Sequence, residues 1–484
     1  MTYQQECVQA LGEIATFDPQ ILSSYDHDLG EMPRALMALV KHTPDIVVAA
    51  QNVNDVRQAL VFAAKHGIPV TPRGQASSGY GGAIPSKGGM VLDLSNMNRV
   101  LAVDERKATV DVEPGVVWES LSKALAPYGL DNRVCPTSAP SSTVGGWFAM
   151  GGVGVGSQRY GSIRDNVLEI DVACLDGTSQ TYAGQEMEFF HQTCGSLGVI
   201  TRLRLACRKA EILTPYAVWM PSAARTVEFL AEAENLFMPY STSMQSSGYC
   251  SMRAQADGNK PVVDSGFLVF LAIAGGSVCD GDVVQLAQVH CGRVLPRAEA
   301  DAEWAERYYP MRIKKIGPSL LVGEFYIPLK NFPACWNEIA AALPKDELGL
   351  EAFGVRGGQL AVLVYILDNA GDTFYPLRMA KATIPLRIAF RHGGGGYATG
   401  MWFAGLAKKI FGAEKFFRVE NRKRKLDPND LMNPGKLKGP ALPFLPMMNL
   451  STLILFGTAM VAPLAARLPS VRPNAGQNAG SAAL

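Results

Sequence analysis

Two glycine-rich stretches with hydroxyl side chains between their glycines carry the strongest chemical signal in the chain. The first runs from 69 to 82 and contains Arg73, Gly74, Gln75, Ala76, Ser77 and Ser78. The second runs from 136 to 146 and contains Pro136, Thr137, Ser138, Ser142, Thr143, Gly145 and Gly146. It leads into a further glycine run with Gly151, Gly152, Gly156 and Ser157. Glycine admits positive φ and close backbone approach, so its N–H groups can converge on an anion. Serine and threonine hydroxyls add donors. A pyrophosphate is the group such a pair would hold. Either loop alone reads as an ordinary surface turn, but two at this spacing, each following a strand signal, do not. The Gly152, Gly154, Gly156 run has the wrong spacing and context for the Gly-x-Gly-x-x-Gly dinucleotide fingerprint.

The elements that must position these loops follow from periodicity. A continuous apolar run at 45–50 predicts a buried strand, and Val56, Ala59, Leu60 and Ala63 predict one face of a helix over 54–66. Further strands are expected at 91–94, 109–112 and 167–174, with a helix over 118–128 that stops before Gly129. Residues 1–40 read as helical and carry the cluster Asp26, His27, Asp28. From 216 to about 407, strand-like stretches (266–274, 321–327, 359–367) alternate with helical ones (223–236, 280–290, 332–343). That alternation predicts an α+β unit with an antiparallel sheet.

At 484 residues the chain exceeds what one hydrophobic core serves, so two domains are expected. Its net charge of +1 and a single short basic cluster, Arg422 to Lys425, argue against a nucleic-acid partner. Nine cysteines, none in a Cys-x-x-Cys pair, argue against a zinc or iron–sulfur site and against a disulfide scaffold. The N-terminus lacks a basic region followed by an apolar core, so a cytoplasmic location is expected. Residues 440–466 form a 27-residue stretch without a charge. Its part 446–466 has the length of a membrane-crossing helix, preceded by more basic residues than follow it. Four prolines count against a span, and an interfacial helix is the competing expectation. The tail 470–484, rich in Ala, Gly, Asn and Pro, is expected to be disordered.

Several segments share a pattern: Pro72-Arg73-Gly74, Val91-Leu92-Asp93-Leu94, Val112-Glu113-Pro114-Gly115, Thr143-Val144-Gly145-Gly146, Gly195-Ser196-Leu197-Gly198 and Asp427 to Lys436. Over about 40–210 and 415–437 the chain resembles the FAD-linked oxidase superfamily of the vanillyl-alcohol-oxidase or PCMH type. It is most similar there to glycolate oxidase and D-lactate dehydrogenase flavoprotein subunits. The resemblance implies an N-terminal extension at 1–40, an FAD-binding domain at 41–212 in two subdomains, and a cap at 213–414. A segment at 415–438 returns to the FAD domain, and nothing beyond it resembles the family. It also implies that both loops bind the FAD pyrophosphate through the residues named above, that Gly151, Gly152, Gly156 and Ser157 let the backbone approach the flavin, that Val199 and Ile200 pair with the adenosine end, and that Asn433 contributes from the returning segment. Relatives tether flavin through a histidine in the first loop or a cysteine near the glycine run; neither is present, so non-covalent FAD is expected.

The cap departs from the family pattern. The histidine-rich strand motif of 2-hydroxy-acid enzymes aligns with 355–360, where its histidines and Asp are missing, so no metal is expected. The later Glu-His-Gly becomes Arg391-His392-Gly393. A neutral His392 could take a hydroxyl proton while hydride leaves for the flavin. Arg312, Arg356 and Arg391 are the candidates for gripping a substrate carboxylate. The expected function is oxidation of a small hydroxylated substrate, a 2-hydroxy acid above others, with electrons passing to an iron–sulfur protein, a quinone or a cytochrome. The alternatives are a non-catalytic electron-transfer subunit of a membrane-associated complex, or a same-fold enzyme acting on a lipid or sugar alcohol.

Overall fold

A computed structural model describes residues 3–276, 278–308, 310–317, 319–344, 348–442 and 445–470. The tail from 471 onward, expected to be disordered, lies outside the described residues. The chain divides into two compact units, the first formed by 1–152, 162–210 and 398–455, the second by 153–161, 211–397 and 456 onward.

In the first unit, the apolar run Ile46–Ala49 forms a strand buried on both faces. It pairs in parallel with Met90–Asp93, which pairs in parallel with Val70–Arg73. The connecting helix Val53–His66 is capped by the Asn52 side chain, which accepts from the N–H groups of Asn54 and Asp55, and stops at Gly67 with φ 63°. Its Val56, Ala59, Leu60 and Ala63 are buried, as their spacing predicts. The N-terminal 40 residues are not purely helical, because Ala15–Thr16 adds an antiparallel edge strand to this sheet. A second, antiparallel sheet runs in the order Val100–Asp104, Thr109–Val112, Val199–Lys209, Val167–Ala173, Ser179–Ala183, with Leu130–Asn132 beside the end of the longest strand.

The second unit is built on an eight-stranded antiparallel sheet. Its order is Arg293–Val294, Leu213–Met220, Phe267–Ala274, Ser241–Ser246, Leu348–Val355, Gln359–Asp368, Ser319–Pro328, Gly395–Gly396. Strand Ser319–Pro328 shows the alternation clearly: Leu321, Phe325 and Ile327 are buried, whereas Leu320, Val322, Glu324 and Tyr326 are partly accessible. A Cβ on Gly323 would press against Pro385 and the Ala382 carbonyl, which puts helix Thr383–Arg391 on the Phe325 side. Helices Phe332–Ala342 and Ala223–Phe237 pack against each other, and Phe332–Ala342 also packs on Thr383–Arg391.

The uncharged stretch does not form one long helix. Ala441–Leu442 pairs with Leu445–Asn449, and a 16-residue helix, Leu450–Ala465, follows. Among the described residues no helix is long and apolar enough to cross a membrane. The hairpin uses the residues that a span would have needed.

Candidate functional site

The two glycine-rich loops converge in the first unit. A Cβ on Gly74 would overlap the Thr143 hydroxyl, so the first loop can lie against the second only because residue 74 is glycine. Thr143 caps helix Val144–Met150, its hydroxyl oxygen accepting from Gly146 N at 3.2 Å. Gly145 is fixed for a different reason: a Cβ there would meet Pro114. Ser142 is buried, and its carbonyl accepts from Trp118 N. Pro136 and Ser138 close the second loop by accepting from Ala139 N and from the N–H groups of Ser141 and Ser142. The side chains of Gln75, Ser77, Ser78, Thr137, Ser138 and Ser142 make no hydrogen bond among the described residues. These side chains belong to the two loops that meet at Gly74 and Thr143 and keep their donors uncommitted among the described residues.

The first loop is braced by residues far from it in sequence. Asp28 accepts from Gly30 N at 2.9 Å and from Gly81 N at 2.6 Å, and burial pushes its carboxyl up to about 6. The Arg73 side chain turns toward the same segment, donating to the His27 carbonyl at 2.8 Å and lying over the Tyr25 ring. Its guanidinium is therefore engaged by the N-terminal segment. Asn433 donates to the carbonyls of Gly82 at 2.9 Å and Cys194 at 2.6 Å, while its own buried Oδ1 has no partner among the described residues. Ala76, Gln192, Cys194 and Asn433 all take left-handed φ, at 49°, 69°, 54° and 39°. With Ala108 and Asp430, six non-glycine residues of the first unit take left-handed φ, and residues held there cluster at functional sites. Asp28 stands out in the sequence only as part of an acidic cluster with no stated partner.

The remaining expected cofactor residues are distributed as follows. Gly151 has φ 75° and would clash with Gln192 if it carried a side chain, and the Gly152 carbonyl accepts from Ile163 N. Gly156 has φ 86° and Ser157 is fully buried, its hydroxyl accepting from Gly154 N at 2.9 Å; both lie in the second unit. Val199 and Ile200 pair with Ala173 and Val172 on one edge of their strand. On the other edge, pairing with Thr109–Val112 begins only at Leu203, so no described strand pairs with Val199 and Ile200 there.

The expected cap residues are not gathered into one site. His392 caps the C-terminus of helix Thr383–Arg391, its Nε2 2.7 Å from Glu338 Oε2. Arg391 bonds the other oxygen of the same carboxylate, and the hydrogen bonds from Arg391 and then His392 hold that carboxyl below its ordinary range. Both helices that carry this cluster belong to the layer on the Phe325 side of the sheet. The expectation that His392 accepts a substrate proton therefore meets a helix-end histidine already engaged by a carboxylate. Arg312 lies elsewhere, ion-paired with Glu306 and Asp257, and Arg356 donates its backbone N–H to the Ser157 carbonyl at 3.0 Å. Glu338 gives no sequence signal, because its partners lie more than fifty residues away.

The opposite face of the sheet carries a buried polar group. Gln245 and Glu351 are cross-strand partners, and Tyr365 donates to Glu351 Oε2 at 3.3 Å. Gln245 also donates to Glu303, which accepts from Arg253 at 2.6 Å. Burial, then Glu303, pushes the Glu351 carboxyl up to about 7 against the opposing pull of Arg253. Farther along the same face, Tyr326 stacks on Tyr397 at a ring separation of 5.2 Å, and the Tyr397 hydroxyl accepts from Val153 N at 3.2 Å.

Comparison with known proteins adds the following. Residues 44–182 match the FAD binding domain and residues 255–437 match the C-terminal domain of FAD linked oxidases. A glycolate oxidase subunit of Bacillus subtilis is 25% identical over 429 residues, covering 81% of this chain and 89% of that protein. A mitochondrial D-lactate dehydrogenase (cytochrome) of Arabidopsis thaliana is 26% identical, covering 83% and 74%. Among solved structures, p-cresol methylhydroxylase with substrate bound matches with a TM-score of 0.74 at 18% identity, covering 90% and 96%. Alkyldihydroxyacetonephosphate synthase matches with a TM-score of 0.70 at 19% identity, covering 90% and 84%. The last two establish the PCMH-type fold.

Proposed function

The chain belongs to the FAD-linked oxidase superfamily, and on that premise we propose that it dehydrogenates a small hydroxylated substrate and passes the electrons to a protein or quinone acceptor. FAD is its cofactor, and bound FAD supplies the hydride-accepting ring. The observation that carries the reading is the meeting of Gly74 and Thr143, which brings together two loops whose serine, threonine and glutamine side chains are uncommitted among the described residues. In this reading those residues hold the pyrophosphate. The edge of Val199 and Ile200 that no described strand pairs holds the adenosine end, and Asn433 holds the first loop's exit in place. Without a histidine or cysteine at the tethering positions, the cofactor is held non-covalently.

The relatives' names, glycolate oxidase and D-lactate dehydrogenase, support a 2-hydroxy acid, and the second of them supports a cytochrome acceptor. A second reading, an alcohol without a carboxylate such as a lipid or sugar alcohol, is favoured by one observation. Arg312 and Arg391, two candidates for gripping a carboxylate, are already paired with Glu306 and Glu338. The test is anaerobic titration of the purified flavoprotein with glycolate, D-lactate and glycerol, followed by acid precipitation. Bleaching by a hydroxy acid supports the first reading and bleaching by glycerol alone the second. No bleaching by any of the three removes both, and flavin that stays with the precipitate removes the non-covalent one.

A further inference from the structure

A lysine inside the first unit keeps donors without partners among the described residues. Lys436 is fully buried, and lysines are almost never buried so completely unless they are paired. Its ammonium carries three N–H donors, yet its single hydrogen bond among the described residues goes to the Ile84 carbonyl at 2.5 Å. No carboxylate among those residues lies within ion-pair distance of it. Lys423, in the helix that precedes it, shows the ordinary solution. Its Nζ reaches Asp427 at 2.5 Å, Asp430 at 3.2 Å and the Met432 carbonyl at 2.6 Å, so three acceptors meet three protons. Lys436 has protons left over.

The first glycine-rich loop sets the place of those protons. Lys436 holds Ile84, just beyond Gly81 and Gly82, and two more groups of the segment 398–455 touch the same loop exit. Asn433 donates to the Gly82 carbonyl, while its buried Oδ1 has no partner among the described residues. The buried Nε1 of Trp402, also without a partner among them, would lie 2.9 Å from a Cβ on Gly81. Asp28 and the Cys194 thiol are the titratable groups that face Lys436, and Arg73 acts on Asp28 in turn. Both Asp28 oxygens are spent on Gly30 N and Gly81 N, and burial pushes the Cys194 thiol up, which keeps it neutral. A buried ammonium with spare donors is costly until an anion completes it. FAD brings a charged pyrophosphate.

We propose that Lys436 is the counter-charge for FAD: its ammonium draws the pyrophosphate onto the first loop, and the protein holds its cofactor tightly only while this lysine is protonated. The inference rests on the assignment of the first loop to the pyrophosphate. Burial pushes the Lys436 ammonium down to about 8, with Cys194 and Asp28 pulling the other way. The lysine is a cation below that value and neutral above it, and an anionic ligand favours the cation. FAD affinity is therefore full below about 8 and falls as pH rises through it. Asp28, pushed up to about 6 by burial, titrates below that window.

The test measures the FAD dissociation constant of full-length protein by equilibrium dialysis, read by flavin fluorescence, at pH 7 and pH 9. Wild type should bind FAD about threefold more weakly, or worse, at pH 9. Lys436→Met keeps the length of the side chain and removes its charge, a change that buried sites tolerate. It should stay folded by circular dichroism, bind FAD about tenfold more weakly than wild type at pH 7, and change no further at pH 9. Gly74→Val, which drives a side chain into the Thr143 hydroxyl, should abolish FAD binding at both pH values. FAD retained by Gly74→Val takes the pyrophosphate away from the first loop, and this inference goes with it. Where Gly74→Val is devoid of FAD, a wild-type constant equal at pH 7 and pH 9 overturns the Lys436 assignment alone, as does a Lys436→Met constant equal to wild type at pH 7. If Lys436→Met does not fold, the wild-type profile decides by itself.

Discussion

His392 lies one residue beyond helix Thr383–Arg391, where its backbone N–H still bonds to Ile388 and Ala389 and its Nε2 faces Glu338 at 2.7 Å. A side chain so placed ties the helix end to its neighbour, so His392→Ala should keep its FAD and reduce within about threefold of the wild-type rate. A loss of about 100-fold, the range of general base catalysis, would return the proton-acceptor role to the imidazole. Glu351 offers a different residue-level test, because pH reaches it. Its charge faces Glu303, Arg253, Tyr365 and Gln245, and burial is the largest cause of its rise to about 7. The folded protein thus binds the Glu351 proton more tightly than the unfolded chain, whose carboxyl titrates near 4.3. The stability it contributes is fully present below that unfolded value and is lost as pH rises through about 7. Glu351→Gln should therefore melt several degrees above wild type at pH 8 and close to it at pH 5. Parallel melting curves for the two proteins at both pH values would show that Glu351 is not the group responsible.

Elements with strong local patterns are legible in the amino-acid sequence itself: the all-apolar run at Ile46–Ala49, the capped amphipathic helix after it, and the two glycine loops whose chemistry is carried by adjacent residues. Strand Ser241–Ser246 is not, because its sequence Ser-Thr-Ser-Met-Gln-Ser reads as a polar loop and only its neighbours on both sides make it a strand. The same limit applies to the site, since Asp28, Glu338 and Lys436 acquire meaning from partners far away in sequence. The C-terminal segment is the sharpest case. Nothing after Lys436 resembles the family, which suggests that the fold is complete there. Yet Leu442 and Leu450 are buried in a cluster with Ile84, Met401 and Trp402, and the Ser451 hydroxyl donates to the Trp402 carbonyl while accepting from Gly405 N. Truncation after Lys438 would expose that cluster, at about 1.5–3 kcal/mol for each large side chain. The truncated protein should melt well below the full-length one and lose FAD on dilution. An unchanged Tm with full FAD occupancy would mean that these contacts contribute nothing to the fold.

At the scale of the molecule, the same C-terminal helix has a second face that stays exposed among the described residues. Ala462 and Ala465 pack on Ala380, whereas Phe456, Met460 and Leu464 are 61%, 68% and 56% exposed. Their spacing of four puts the three on one stripe of helix Leu450–Ala465, with no charged residue anywhere along it. Three large apolar groups in water on one stripe form the kind of patch that monomeric proteins rarely keep. A helix of 16 residues is too short to span a bilayer, which calls for about 20. It is long enough to lie in the interface, and a flavoenzyme that hands electrons to a quinone would use such a contact. Full-length protein should therefore co-sediment with phosphatidylcholine–phosphatidylglycerol vesicles and be released by alkaline carbonate, as an interfacial helix is and a spanning one is not. Replacing Phe456, Met460 and Leu464 together with Ser, Gln and Ser should abolish sedimentation while leaving FAD content and flavin reduction intact. Wild-type protein that stays in the supernatant as a monomer would remove the membrane, and a stable dimer lost in the triple variant would assign the stripe to a second copy of the chain instead.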